Sequence, residues 1–287
     1  MVAALATIAL KTLAWRLTGS VGLLSDALES LVNLAAALLA LSMLRLAASP
    51  PGSEYSYGLS KAEYFSAGTE GGLIVLAAAG ILATALPRLL HPQPLEAPLL
   101  GLGLSAAATA VNLATALLLM RVGREKRSIA LEADGHHLLT DVWTSAGVIV
   151  GVGLVYVTGW LWLDPLVALA VAVHIIWIGV GLMRRSVSGL LDAAIPQADR
   201  DQIAKLFAEY AKRYGASFHA LRTRQAAARR FISFHLLVPD HWTVSQAHRL
   251  SEEIEARIRA LVDGASIDIH IEPISDPASY DDQGLDR

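Results

Sequence analysis

The sequence predicts an α-helical membrane domain of six transmembrane helices, residues 1–190, followed by a cytoplasmic α+β domain of order αββαβ, residues 191–275. Three observations predict it. Charge is unevenly divided: residues 1–190 carry 22 Asp, Glu, Lys and Arg, whereas the 97 residues from 191 onward carry 27. Apolar runs that approach or exceed the roughly 20 residues a bilayer span needs fill the first part. Beyond it, the pattern changes to shorter helical stripes and to alternation with a period of two. Overall, 54% of residues are hydrophobic and 17% charged, against roughly 25% charged in a typical soluble chain. A soluble enzyme with one evenly mixed surface is excluded.

The apolar runs are 1–17, 23–47, 66–89, 98–121, 130–158 and 163–186, joined by short connections. The first is barely long enough and starts at Met1 with no polar lead-in. Either the native start lies upstream or that helix crosses a thin part of the bilayer. Without a basic leading region it does not read as a cleaved secretory signal. Arg45, Lys61, Arg121, Arg124, Lys126, Arg127, Arg184 and Arg185 gather at one set of span ends, Arg16 and Arg88 at the other. Eight against two places the first set, and both termini, in the cytoplasm of a cell whose inner membrane the chain crosses.

In the tail, Ile203, Leu206, Phe207, Tyr210, Ala211 and Tyr214 form a helical stripe after Pro196, closed by Gly215. Strands are expected at 217–224, at Phe231–Val238 and at Ser266–Glu272, where isoleucines alternate with Asp268, His270 and Glu272. Thr243 and Gln246 form a capping box that opens the second helix. Residues 276–287 are polar and expected to be disordered. The absence of cysteine excludes disulfides and thiolate metal sites. A net charge of −3 gives no reason to propose a nucleic-acid partner.

Ionisable groups inside a bilayer cost several kcal/mol and are functional hypotheses by default. The second span holds Asp26, Glu29 and Asn33; the fifth holds Asp134, His137 and Asp141, in the same spacing. Residues four apart share a helical face, so Glu29 with Asn33 and His137 with Asp141 each make an edge. Packed face to face, these edges present four nitrogen and oxygen donors, a set suited to Zn²⁺. The plainer reading of a lone acid, Asp26 or Asp134 taken singly, is a helix–helix hydrogen bond; nearer a membrane face either would instead be a cap or an access group. His174, alone in its span, reads as a buried hydrogen-bonded histidine, and Lys11 either snorkels or pairs with an acid. In the tail, His270 and Glu272 share a strand face, and His235 faces away from Ile232, Phe234 and Leu236. With His219 they suggest a second metal cluster; His241 reads as surface.

Six segments together resemble the cation diffusion facilitator family of divalent-metal/proton antiporters: TGSVGLLSDALESLVN (18–33), YSYGLSKAEYFSAG (55–68), DGHHLLTDVWTSAGVIVG (134–151), LLDAAIP (190–196), HALRTRQ (219–225) and DIHIEP (268–273). The resemblance implies a transport site from Glu29, Asn33, His137 and Asp141. It also implies a cytoplasmic metal cluster from His219, His235, His248, His270 and Glu272 that stabilises a homodimer of metallochaperone-like tails, and a charge pair between Lys61 and Asp192. This chain departs from the family in having Asn33 where many relatives have aspartate, and Glu29 where zinc members often have Asp or His. The loop Tyr55–Ser60 lacks the histidines of an accessory site. The function expected is export of a divalent cation, Zn²⁺ first and Co²⁺, Cd²⁺, Fe²⁺, Ni²⁺ or Mn²⁺ with the same donors, by proton antiport through alternating access. Two alternatives are a membrane-embedded metal sensor or scaffold without transport, and an intramembrane metallohydrolase. The latter lacks a His-Glu-x-x-His pattern.

Overall fold

The computed structural model describes residues 2–126 and 129–285, with side chains except at 123, 126, 129–134 and 282–285. Arg127, one of the basic span-end residues, lies outside the described residues, as does the side chain of Lys126. Six long helices come first: α1 (Val2–Thr18), α2 (Val21–Ala47), α3 (Ala62–Leu90), α4 (Pro98–Lys126), α5 (Ile129–Thr158) and α6 (Leu163–Leu190). Helices α2 to α6 are each long and apolar enough to cross a membrane. Helix α1, at 17 residues, sits at the lower limit of a span.

The chain divides into two units, 1–42 with 66–184, and 43–65 with 185–287. In the first, α4 packs along both α1 and α5. In hydrocarbon no hydrophobic effect drives helices together, so small residues that allow close backbone approach take over. A Cβ on Gly71 of α3 would lie 2.7 Å from the Gly179 carbonyl of α6, and one on Gly135 of α5 would lie 2.6 Å from Met120 of α4. Ala78, Ile81 and Ala85 of α3 bury against Ala168, Ala172 and Ile175 of α6. Ala14 of α1, Leu23 of α2 and Val148 and Val152 of α5 form a second apolar cluster.

Helix α2 begins on a buried cap from another helix. The Asp164 carboxylate at the start of α6 accepts from the Val21 amide at 2.8 Å, the Gly22 amide at 3.1 Å and the Ser20 hydroxyl. Arg88 lies 3.8 Å away. The carboxylate thus takes up orphan donors at the positive end of the α2 dipole.

The second unit contains the tail: α7 (Gln197–Tyr214), β1 (Ser217–Ala226), β2 (Arg229–Val238), α8 (Val244–Leu261) and β3 (Ala265–Pro273), the expected αββαβ order. The strand order is β1-β2-β3, with β1 antiparallel and β3 parallel to β2. Both helices cover one sheet face, where Ile203, Leu206, Tyr210, Ile232, Phe234, Leu236, Leu250, Ile254 and Ile258 form the core. The Thr243–Gln246 capping box is present in both directions, and Gly215 closes α7 in the left-handed conformation.

Two expectations are corrected. Residues 277–285 are not disordered but form a 3₁₀ helix, because the Ser279 hydroxyl donates to the Pro273 carbonyl at 2.9 Å and the Tyr280 hydroxyl to that of Ile274 at 2.8 Å. Residues 286–287 lie outside the described residues. Segment 43–65 groups with the tail rather than with the other helices. The Tyr64 hydroxyl accepts from the Ala227 amide at 2.9 Å, Arg229 donates to the Tyr57 carbonyl at 3.1 Å, and the Tyr57 and Phe231 rings meet edge-on at 5.4 Å.

Candidate functional site

Helices α2 and α5 present polar faces to one another inside the first unit. Asn33 Nδ2 donates to Asp141 Oδ2 at 3.0 Å, a direct contact between the two helices. Asp141 is 7% exposed although it sits in the middle of an apolar helix. One turn before it, His137 lines a cavity of about 540 Å³ together with Asn33, Asp141, Ser30, Asn112 and Glu70. Glu29 sits against Thr144, with Asp141, Asp26 and Lys11 close enough for their charges to act on it. Asn33, His137 and Asp141 therefore share the cavity, and Glu29 stands beside Asp141. Among the described residues these donors are not drawn to within the few ångströms of a closed coordination shell.

Glu70 is the residue that the motif spacing did not single out. It sits on α3 within the span, lines the same cavity, and feels the charge of His137. The signal was available, since it is an acid within an apolar run, but it stands alone on its helix without an i+4 partner. Asp26 is neither a cap nor an access group: it pairs with Lys11 at 2.8 Å, both almost wholly buried. The side chain of Asp134 lies outside the described residues. His174 is not buried but on the exposed side of α6.

The tail cluster comes from strand register. His219 pairs with His235 across the antiparallel ladder, and His235 with His270 across the parallel one, so three imidazoles form one row. Each residue of the row stands on the sheet face away from the core, because Phe234 and Leu236 point into it. Glu272, two residues after His270, reaches back to all three. Its Oε2 is 3.2 Å from His219 Nε2 and 3.2 Å from His235 Nδ1, and its Oε1 is 3.4 Å from His270 Nε2. Ligands about 2.0–2.1 Å from a tetrahedral Zn²⁺ stand roughly 3.3 Å apart. The Glu272-to-histidine separations are of that order, and among the described residues His219, His235 and Glu272 have ligand atoms mutually within 4.8 Å. His270 is more exposed and flanks the three. His248 is not brought in: on α8, it lies 4.0 Å from Glu252 and is mostly exposed. His241 is at the surface.

Residues 1–191 match the cation efflux transmembrane domain, and residues 195–274 the cytoplasmic domain of cation efflux proteins. An uncharacterised transporter of Synechocystis sp., sll1263, is 52% identical over 97% of this chain and 89% of its own. The cation-efflux pump FieF of Salmonella arizonae is 32% identical over 95% of this chain and 90% of its own. A solved structure of CzrB in the Zn form, 32% identical, covers 30% of this chain and 96% of its own, with a TM-score of 0.28. The chain belongs to the cation diffusion facilitator family.

In this cation diffusion facilitator, Lys61 and Asp192 meet at 2.9 Å, and Lys61 also donates to the Leu190 carbonyl at 3.2 Å. Arg224 approaches the same carboxylate at 3.4 Å. Asp192 itself sits in the left-handed region at φ 57°, where the chain turns out of α6. The hydrogen bond from Lys61 is the main cause holding the Asp192 carboxyl below its ordinary value of 3.8, with the charges of Lys61 and Arg224 adding to it. A depressed folded-state value means that the pair contributes in full above pH 3.8 and is lost as pH falls through that lower value. Both side chains are about a third or more exposed, so screening keeps the contribution to about 1 kcal/mol or less. Replacing Lys61 with Met should move the Asp192 titration upward towards 3.8 in carboxyl ¹³C NMR of the full-length protein. An unmoved titration would contradict the assignment.

Proposed function

We propose that this protein exports a divalent metal cation from the cytoplasm in exchange for protons, by alternating access around the cavity between α2 and α5. The observation that carries the reading is the Asn33–Asp141 contact at 3.0 Å, which joins the two helices at the wall of a polar cavity shared with His137. Glu29 and Asp141 supply the two negative charges that balance a divalent ion, His137 a nitrogen donor, and Asn33 a neutral oxygen once its amide turns from Asp141. Glu70 adds a carboxylate from a third helix and offsets the charge lost by having Asn33 in place of an acid.

Coupling to protons follows from the donors. An imidazole nitrogen and a carboxylate must be deprotonated to bind a metal, so ion uptake releases protons and reprotonation ejects the ion. Histidine ordinarily titrates near pH 6.5, within the range that separates cytoplasm from a more acidic exterior. Zn²⁺ is the leading substrate because of the imidazole and the general affinity order. Co²⁺, Cd²⁺, Fe²⁺, Ni²⁺ and Mn²⁺ compete for the same donors, the last favoured by each added oxygen. The basic span ends support a cytoplasmic position for both termini. There two tails would pair as a homodimer.

In the tail, His219, His235, His270 and Glu272 would hold a metal ion. When bound, the ion would neutralise the Glu272 charge and cross-link the three strands through these side chains. Such a site reports cytosolic metal to the membrane helices through the segment that carries Lys61 and Tyr64.

Two measurements test the reading. Purified protein in liposomes, with an imposed pH gradient, should drive Zn²⁺ flux, and Asp141→Ala should abolish it. Flux that persists in that variant would remove the proposed site. The double substitution H235A/H270A should leave transport intact but change its dependence on cytosolic-side metal concentration. An unchanged dependence would refute tail regulation.

A further inference from the structure

One almost wholly buried charge of the membrane helices belongs to none of the proposed ion ligands. Lys11 of α1 is 2% exposed, and all three of its ammonium protons are used. Its Nζ donates to Asp26 Oδ1 at 2.8 Å, to Ser30 Oγ at 2.9 Å and to Ser145 Oγ at 3.0 Å. Ser145 in turn donates to Asp26 Oδ1 at 2.6 Å, which closes the network. Asp26 and Ser30 belong to α2, Ser145 to α5.

The positions of those acceptors matter. On α5, His137, Asp141 and Ser145 are successive i, i+4 neighbours and form one stripe. On α2, Ser30 and Asn33 continue the face that starts at Asp26, with Glu29 beside them. One ammonium therefore ties together the continuations of both ligand stripes, one helical turn from Asp141 and next to Glu29. Ser30 also lines the cavity, so the network forms part of its wall. The charge of Lys11 acts on both Glu29 and Asp141.

We propose that Lys11 is a positioning residue for the transported ion: by bridging α2 to α5 it sets the spacing of Glu29 and Asn33 from His137 and Asp141, and with it the affinity of the site. Resting on the transport reading above, the inference adds a role for a helix that supplies no ligand. Three features separate it from ordinary helix glue. A neutral contact would join these helices at no desolvation cost, whereas a buried pair with one partner removed is strongly unfavourable. The ammonium chooses acceptors from both ligand-bearing helices rather than from one. It also places a fixed cation against Ser30 of the cavity wall and against Asp26, whose Oδ2 has no hydrogen-bond partner among the described residues.

The test uses full-length protein in liposomes and Zn²⁺ flux under a pH gradient. The double variant K11M/D26N removes the pair without leaving a lone charge. S30A/S145A keeps the ion pair and removes the two neutral acceptors, of which Ser145 is the one that extends the bridge to α5. K11M/D26N should raise KM for Zn²⁺ at least ten-fold, and S30A/S145A several-fold, with kcat per folded molecule changed less than KM. If K11M/D26N is not recovered folded, S30A/S145A decides alone. KM within two-fold of wild type in the folded variants, with only the yield of protein reduced, would overturn the positioning role and leave plain helix packing. Absence of flux in the wild-type protein, or flux unaffected by Asp141→Ala, would instead sink the transport reading and this inference with it.

Discussion

A charged side chain moved into hydrocarbon loses several kcal/mol of hydration, and that loss governs how the membrane helices are arranged. Every buried charge described within them has an answer nearby. Lys11 is matched by Asp26 and two hydroxyls. Asp164 is spent on backbone amides at the start of α2, with Arg88 close by. Asp141 has one hydrogen bond from Asn33 and a cavity on its other side. The contrast is informative. The first two sites hold helices together; the third also turns its donors towards an open volume. A site able to accept and release an ion needs that incomplete satisfaction.

The tail solves a different problem with a simpler device. A three-stranded sheet with both long helices on one face leaves the other clear of them, and strand register aligns His219, His235 and His270 across it. Glu272 then lies within 3.4 Å of all three. The core below supplies rigidity: Phe234 and Leu236, which flank His235, are 1% and 0% exposed. The histidine row thus lies directly over the buried core of the domain. The turn out of α6 is where Lys61, Tyr64, Asp192 and Arg224 meet.

Much of this is legible in the residues. Matched acid spacing on α2 and α5 predicts their shared site because both ligand pairs sit at i, i+4 on single helices. The αββαβ order follows from local periodicity and a capping box. What escapes local patterns are contacts made across helices by single residues. Glu70 has no partner on α3 and joins the cavity only through tertiary packing. Lys11 allows two readings until α2 and α5 are placed beside it. His248 fits a ligand set by residue type, yet α8 covers the opposite sheet face from the histidine row. The order of 277–285 rests on two side-chain-to-backbone hydrogen bonds that no composition signal marks.

The central claim is that one imidazole and the carboxylates of α2 and α5 bind the ion in the membrane. X-ray absorption at the zinc edge, on Zn²⁺-loaded full-length protein whose tail histidines 235 and 270 are replaced by alanine, tests it most directly. The account predicts one nitrogen scatterer of imidazole type and oxygens at about 2.0–2.2 Å, with the imidazole signal lost on His137→Ala. A shell that contains no imidazole, or one unaltered by that substitution, would contradict it.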